Sequence, residues 1–289
     1  MSAIKISTSE ELEKKWDEFS TSFARYYEPN TLPICFLLIS NLGLTTNFDG
    51  RPTPKAILEV ACGGGAGTEM CLNLKKPETS FDACDISSEM VALTKRRLGM
   101  KQEENTIVDK KFTISQCDAE RLPYKDNSFD GYFANFCLHL VAKPENMLAE
   151  AYRVLEKDGV GAWSVWGRPE NSNQFTILRT VAANMGLELK PSPVRSAFHL
   201  HDTAKLRQMA LDAGFSEATA GYTYCNLMIR NGDEFVQSFF STPEMKITEK
   251  EIGSEKYKEW KVKTAEYVDG LLKSGTFIGL ESAYLVVRK

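Results

Sequence analysis

The chain has 289 residues, enough for one large α/β domain with elaborations or for two small domains. Hydrophobic residues at 43% and charged residues at 26% are ordinary for a globular protein, and no apolar run approaches the ~20 residues of a membrane span. A net charge of -4 argues against nucleic acid as a partner, since that footprint normally shows as a basic face.

The N-terminus carries Lys5, Glu10, Glu11 and Glu13 before any apolar run, unlike a signal peptide, so a cytoplasmic location is expected. Residues 9–27 read as a helix with Leu12, Trp16, Phe19, Phe23 and Tyr26/Tyr27 at helical spacing. A second helix is expected over 32–42, ending near Gly43. From 56 to 167 strands and helices alternate. Strands are expected near 56–61, 80–85, 111–116, 129–135 and 159–166, and helices near 66–75, 87–98 and 144–156. The first strand runs into Glu59-Val60-Ala61-Cys62-Gly63-Gly64-Gly65, a turn that lets backbone approach a ligand and leads into a helix N-terminus. The second strand ends at Asp85, placed to accept from both hydroxyls of a ribose. The third ends in Asp118-Ala119-Glu120, beside the same crevice at the level of an adenine ring. Residues 168–200 are rich in Pro, Asn and Ser. A short helix follows from Thr203, capped by Asp202 and stopped by Gly214. Then come a strand over 218–229, charged helix over 233–273 and a final β-like run over 277–288.

Taken with Leu122-Pro123-Tyr124, Asp126 to Asp130, Asn135-Phe136 and Arg153 to Gly159, these blocks resemble the class I S-adenosylmethionine-dependent methyltransferases. The similarity is to the methyltransferase type 11 branch, which includes ubiquinone/menaquinone-biosynthesis enzymes. It is good over about 55–167 and loose elsewhere. The resemblance implies a Rossmann-like α/β fold: a seven-stranded, mostly parallel sheet with the last strand antiparallel and helices on both faces. Residues 1–289 would then form a single domain, with an N-terminal helical cap (1–45), a cofactor-binding core (55–167), a lid-like insert (168–200), and C-terminal helices with an antiparallel strand pair (201–289). It also implies S-adenosylmethionine as methyl donor, S-adenosylhomocysteine as product, and a small organic acceptor, quinone- or phenol-like or another metabolite, methylated at O, N or C. Glu59 would serve the methionyl ammonium; Ala61, Gly63 and Gly65 the methionine through backbone; Asp85 the ribose; Ile86, Met90, Asp118 and Ala119 the adenine; Asn135 and Phe136 the methyl-donor end.

Two departures from the family pattern stand out. Ala61 replaces the first glycine of the turn, which is tolerable if its φ stays negative. Lys157-Asp158-Gly159-Val160 replaces Lys-Pro-Gly-Gly and still offers a glycine to end the preceding helix. On the acceptor side, His139 is the candidate general base. Phe23, Tyr26, Tyr27, Trp166, Arg195 and His199 are candidates for the acceptor pocket. His199 and His201 lack a third ligand, so no metal is expected. The seven cysteines show no Cys-x-x-Cys spacing and suggest reduced thiols. Two alternatives remain open: a non-catalytic methyltransferase-like binding protein, and a nicotinamide oxidoreductase with a similar glycine turn.

Overall fold

In the computed structural model, which describes residues 5–44, 50–190 and 194–289, eight strands form one sheet in the order β3-β4-β2-β1-β5-β6-β8-β7. These are β1 (Ala56–Val60), β2 (Ser80–Asp85), β3 (Thr106–Ile107), β4 (Phe112–Gln116), β5 (Phe129–Ala134), β6 (Leu155–Trp166), β7 (Glu217–Asn226) and β8 (Gly279–Arg288). Strands β4, β2, β1, β5 and β6 are mutually parallel; β8 runs antiparallel between β6 and β7, and β3 antiparallel to β4. The expected seven-stranded plan is therefore present, with the two-residue β3 added at the edge. Successive crossovers run outward in opposite directions from β1 and β5. The carboxyl ends of those two strands frame the crevice where such sheets take ligands.

Helices α2 (Glu28–Asn41), α3 (Ala66–Leu74) and α4 (Ser88–Arg97) cover one face, packing Cys35, Leu38, Cys71 and Val91 onto Phe81, Phe112 and Phe133. On the other face, α5 (Pro144–Val154) and α7 (Thr203–Asp212) set Met147, Leu148, Leu206 and Ala210 against Tyr132, Trp163 and Leu285. Local signals fix these helices. Pro144 opens α5, Ser87 accepts from the Met90 amide at the start of α4, and Asp202 caps α7 by accepting from the Ala204 and Lys205 amides. A third core joins α6 (Asn173–Asn184), α8 (Gly232–Phe239) and α10 (Ser254–Lys273) around Phe235, Tyr257 and Trp260, with α9 (Pro243–Ile252) between α8 and α10.

Four readings need correction. Residues 9–41 are one continuous helical rod, α1 (Ser9–Ser22), a π turn over Phe23–Tyr27 and α2, rather than two separated helices. The 168–200 insert contains the twelve-residue helix α6; its composition disguised an apolar stripe of Ile177 and Val181. Gly159 lies inside β6 rather than ending α5, which stops at Val154. Cys84 and Cys117, at the ends of neighbouring strands β2 and β4, are joined as a disulfide with Cα atoms 5.8 Å apart, so the expectation of reduced thiols fails for this pair. Of the expected cap and insert, residues 1–4, 45 and 191–193 lie outside the described residues.

Candidate cofactor and acceptor site

A cavity of about 390 Å³ follows the carboxyl edge of the sheet from β4 to β7. Its two halves differ in chemistry. Asp118, Asp85 and Glu59 face it from the β4, β2 and β1 side, whereas Phe136, Trp166, Leu280 and Leu227 face it from β5, β6, β8 and β7.

On the polar half, Asp85 is buried and already organises the turn: its Oδ2 accepts from the Gly63 amide and its Oδ1 from the Ser87 amide, both at 2.9 Å. Burial raises its carboxyl to about 6, and those two bonds keep it from rising further. Glu59 is 3% exposed, and its Oε2 accepts from Thr68 Oγ1 at 2.6 Å. Burial lifts Glu59 to about 8, with the Thr68 bond opposing and the Asp85 charge adding to the rise. Asp118 accepts from the Glu120 amide at 2.9 Å and from Ser9 Oγ at 2.7 Å, so α1 is pinned over this end. Asp17 strengthens that seat by accepting from Ser87 Oγ at 2.6 Å. Ile86, Met90 and Ala119 line the same region.

The glycine turn departs from expectation. Ala61 adopts φ 61°, so its methyl sits in the left-handed region and is not accommodated at negative φ. Gly63 also has positive φ and carries the Phe23 ring against it; a Cβ there would come within 3.1 Å of that ring. Gly65, at φ 85°, faces Thr94 instead of the cavity. Behind the turn, Glu28 accepts from the Ala66 amide at 3.1 Å and pairs with Arg97. The sequence reading missed Glu28, because nothing local marks a helix-start glutamate as the partner of an arginine on α4.

At the middle of the cavity, Asn135 donates to the Thr31 carbonyl at 3.2 Å and accepts from Ser164 Oγ at 2.7 Å. The Phe136 amide donates to Ser164 Oγ at 2.8 Å, which holds Phe136 at φ 52°. Phe136 thereby lines the cavity, while the amide of Asn135 is committed to fastening α2 onto β5. Phe23 and Tyr27 also line it, and Tyr27 meets the Phe239 ring at 5.7 Å. The π turn decides which tyrosine takes part: Tyr27 points in, and Tyr26 lies off the cavity beneath the Arg25 guanidinium.

Three acceptor-side candidates do not reach the cavity. Arg195 spends its guanidinium on the carbonyls of Val141 and Ala142. His199 Nε2 donates to the His139 carbonyl at 3.0 Å. His139 is 2% exposed and sits behind Trp166, ring centroids 5.6 Å apart, with no partner for either ring nitrogen among the described residues. Burial, with smaller contributions from His199 and Arg195, lowers it to about 3. His139 therefore lies off the cavity, and its burial favours the neutral imidazole. Trp166 does line the cavity, stacked on Phe175 at 3.9 Å.

The geometry is that of a doubly wound sheet with three carboxyl groups lining a cavity at its strand ends, and comparison with known proteins supplies the family. Residues 58–162 match the family profile described as a methyltransferase domain. A Paenibacillus malonyl-[acyl-carrier protein] O-methyltransferase is 25% identical over 170 residues, covering 59% of this chain and 58% of its own. The Bradyrhizobium ubiquinone/menaquinone biosynthesis C-methyltransferase UbiE is 35% identical over 117 residues, 40% of this chain and 44% of that protein. The chain thus spans about half the length of the curated relatives it matches. Among solved structures, a phosphoethanolamine N-methyltransferase 2 of Haemonchus contortus aligns over 94% of this chain and 60% of its own at 16% identity, TM-score 0.52. The cyclase SpnF aligns over 100% and 99% at 17% identity, TM-score 0.57. Residues 58–162 thus carry a methyltransferase domain of the type 11 family.

Proposed function

We propose that this protein transfers a methyl group from S-adenosylmethionine to a small organic acceptor, quinone- or phenol-like. The observation that carries the reading is the row of three carboxyl groups at successive strand ends, opening onto an apolar chamber. The cofactor's polar rim is made of donors: an ammonium, two ribose hydroxyls and an adenine amino group. Acceptors face them in order. Glu59 takes the ammonium, Asp85 the ribose and Asp118 the adenine amino group, while Ile86 and Met90 cover the base and the Ala119 amide lies beside it. Backbone at Ala61 and Gly63 faces the methionine, and Phe136 borders the methyl-donor end.

Bound there, S-adenosylmethionine supplies a methyl already activated on a sulfonium, so the protein's tasks are positioning and exclusion of water. The rod 9–41 roofs the polar half and α6 with α8 the apolar half, and we read 1–289 as one unit built around the cavity. Calorimetry with S-adenosylmethionine, S-adenosylhomocysteine and NAD tests the cofactor assignment. Asp85→Ala is expected to lose about 1.5–3 kcal/mol of S-adenosylhomocysteine affinity, with thermal unfolding as the control for folding. Unchanged affinity refutes the ribose role, and preferential binding of NAD refutes the cofactor.

A further inference from the structure

The apolar half of the cavity says more about the acceptor than its family does. The charged side chains that line the cavity come from α1, the start of α2 and the ends of β1, β2 and β4. Beyond Phe136, toward Leu280 and Leu227, the wall carries no charged side chain among the described residues. An ionised acceptor placed there would lose its hydration without gaining a counter-charge, a loss that greatly outweighs its packing.

The wall also contains a few polar groups, and most are already committed. Tyr27 Oη donates to the Ser238 carbonyl, Thr31 Oγ1 to the Glu28 carbonyl, and Asn30 uses its amide nitrogen on Tyr26 and its amide oxygen on the Met228 amide. Thr242 Oγ1 accepts from the Met245 amide at the start of α9. Gln174 is different. It stands on the first turn of α6, is 6% exposed and lines the cavity, and its side-chain amide opens there without a hydrogen bond to the protein among the described residues. An amide that faces the cavity without a protein partner is hydrated there, so a ligand group that replaces that water keeps the hydrogen bond and is oriented by it. Its neighbour Phe175 stacks on Trp166 at 3.9 Å with the rings 18° apart, giving a flat aromatic wall beside that amide.

The position of Gln174 is itself fixed by the sheet. Glu281, fully buried on β8, accepts from the Arg168 backbone amide at 2.9 Å, from Arg168 Nε at 2.8 Å and from Asn171 Nδ2 at 2.9 Å. Ser172 Oγ then accepts from the Glu281 amide, and Asn173 bonds both the Phe277 carbonyl and the Gly279 amide. The chain is clamped through residue 173, so the next side chain is presented from a rigid support.

We propose that the acceptor is a neutral, flat and largely apolar molecule whose single carbonyl or hydroxyl group docks on the Gln174 amide, making Gln174 the residue that selects and orients it. This deepens the methyltransferase reading and rests on it. The test uses four probes of one shape, 2-naphthol, naphthalene, 2-naphthoate and 2-naphthylmethylammonium, titrated into the full chain with and without S-adenosylhomocysteine. The expected order is 2-naphthol, then naphthalene several-fold weaker, then both ions at least tenfold weaker than 2-naphthol. Gln174→Met is expected to weaken 2-naphthol about fivefold, the worth of one neutral hydrogen bond. Naphthalene affinity should be unchanged in that variant, which also reports that the chamber is intact. Should the methionine variant fail to fold, Gln174→Asn withdraws the amide by one methylene and makes the same comparison. Either ion binding as well as 2-naphthol, no probe binding at all, or a 2-naphthol affinity indifferent to position 174 overturns the proposal. Failure to bind S-adenosylhomocysteine counts against the cofactor reading instead, and leaves the probe order measured without it still decisive for the chamber.

Discussion

Glu59 is the group whose ionisation the fold resists most plainly on the cofactor side. Its carboxyl moves from 4.5 to about 8 because it is 3% exposed and has one hydrogen bond, from Thr68, to set against the lost hydration. A carboxyl whose folded value is raised contributes stability that is complete below its unfolded value and is lost as pH rises through its folded value. The window here is therefore about 4.5 to 8. Linkage over the whole window amounts to roughly 5 kcal/mol, of which about 3 kcal/mol falls between pH 6 and pH 9. Glu59→Gln keeps an acceptor for Thr68 and removes the titration. Urea unfolding of both proteins without cofactor, at pH 6 and pH 9, should show the variant gaining about 3 kcal/mol on the wild type between the two conditions. Groups remote from Glu59 are common to both proteins and cancel, and the coupling to Asp85 is a smaller contribution than burial. S-adenosylmethionine carries the cation that would hold Glu59 ionised, so wild-type affinity should rise from pH 6 to pH 8 more steeply than that of the variant, in which Asp85 still titrates near 6. Parallel stability curves for the two proteins would refute the assignment of a neutral buried carboxyl.

Ala61→Gly should stabilise the free protein by up to about 1 kcal/mol, because relief of the left-handed strain outweighs the added unfolded-state entropy; lower stability on thermal unfolding would show that the methyl packs usefully. His139 should show no titration between pH 5 and pH 8 in its NMR ring signals, given a value of about 3, and a midpoint near 6.5 would reopen its role as a base. Hydrogen exchange without ligand should be faster in α1 than in α6. Of the residues in α1 only Ser20 is buried, whereas the approach to α6 is clamped on Glu281, and Glu281→Gln should speed exchange at 168–175.

What could be read from the sequence was what short stretches of chain decide for themselves. The strand-turn-helix at 56–74, the acidic ends of β2 and β4, the opening of α5 at Pro144 and the Asp202 cap each depend on residues within a few positions of one another. Their side-by-side order then follows from parallel strands with right-handed crossovers. The tertiary structure decided everything that depends on distant chain. The φ of Ala61 is imposed by a turn held from Asp85, and the choice of Tyr27 over Tyr26 by a π turn whose Phe23 ring rests on Gly63. Arg195 was a candidate for the acceptor pocket until the carbonyls of Val141 and Ala142 met it, and the apolar chamber forms where β7, β8, α6 and α8 converge on Trp166. The charge states of Glu59 and His139 belong to the same class. Desolvation sums over every atom that displaces water around a group, and those atoms come from segments that a sequence keeps far apart.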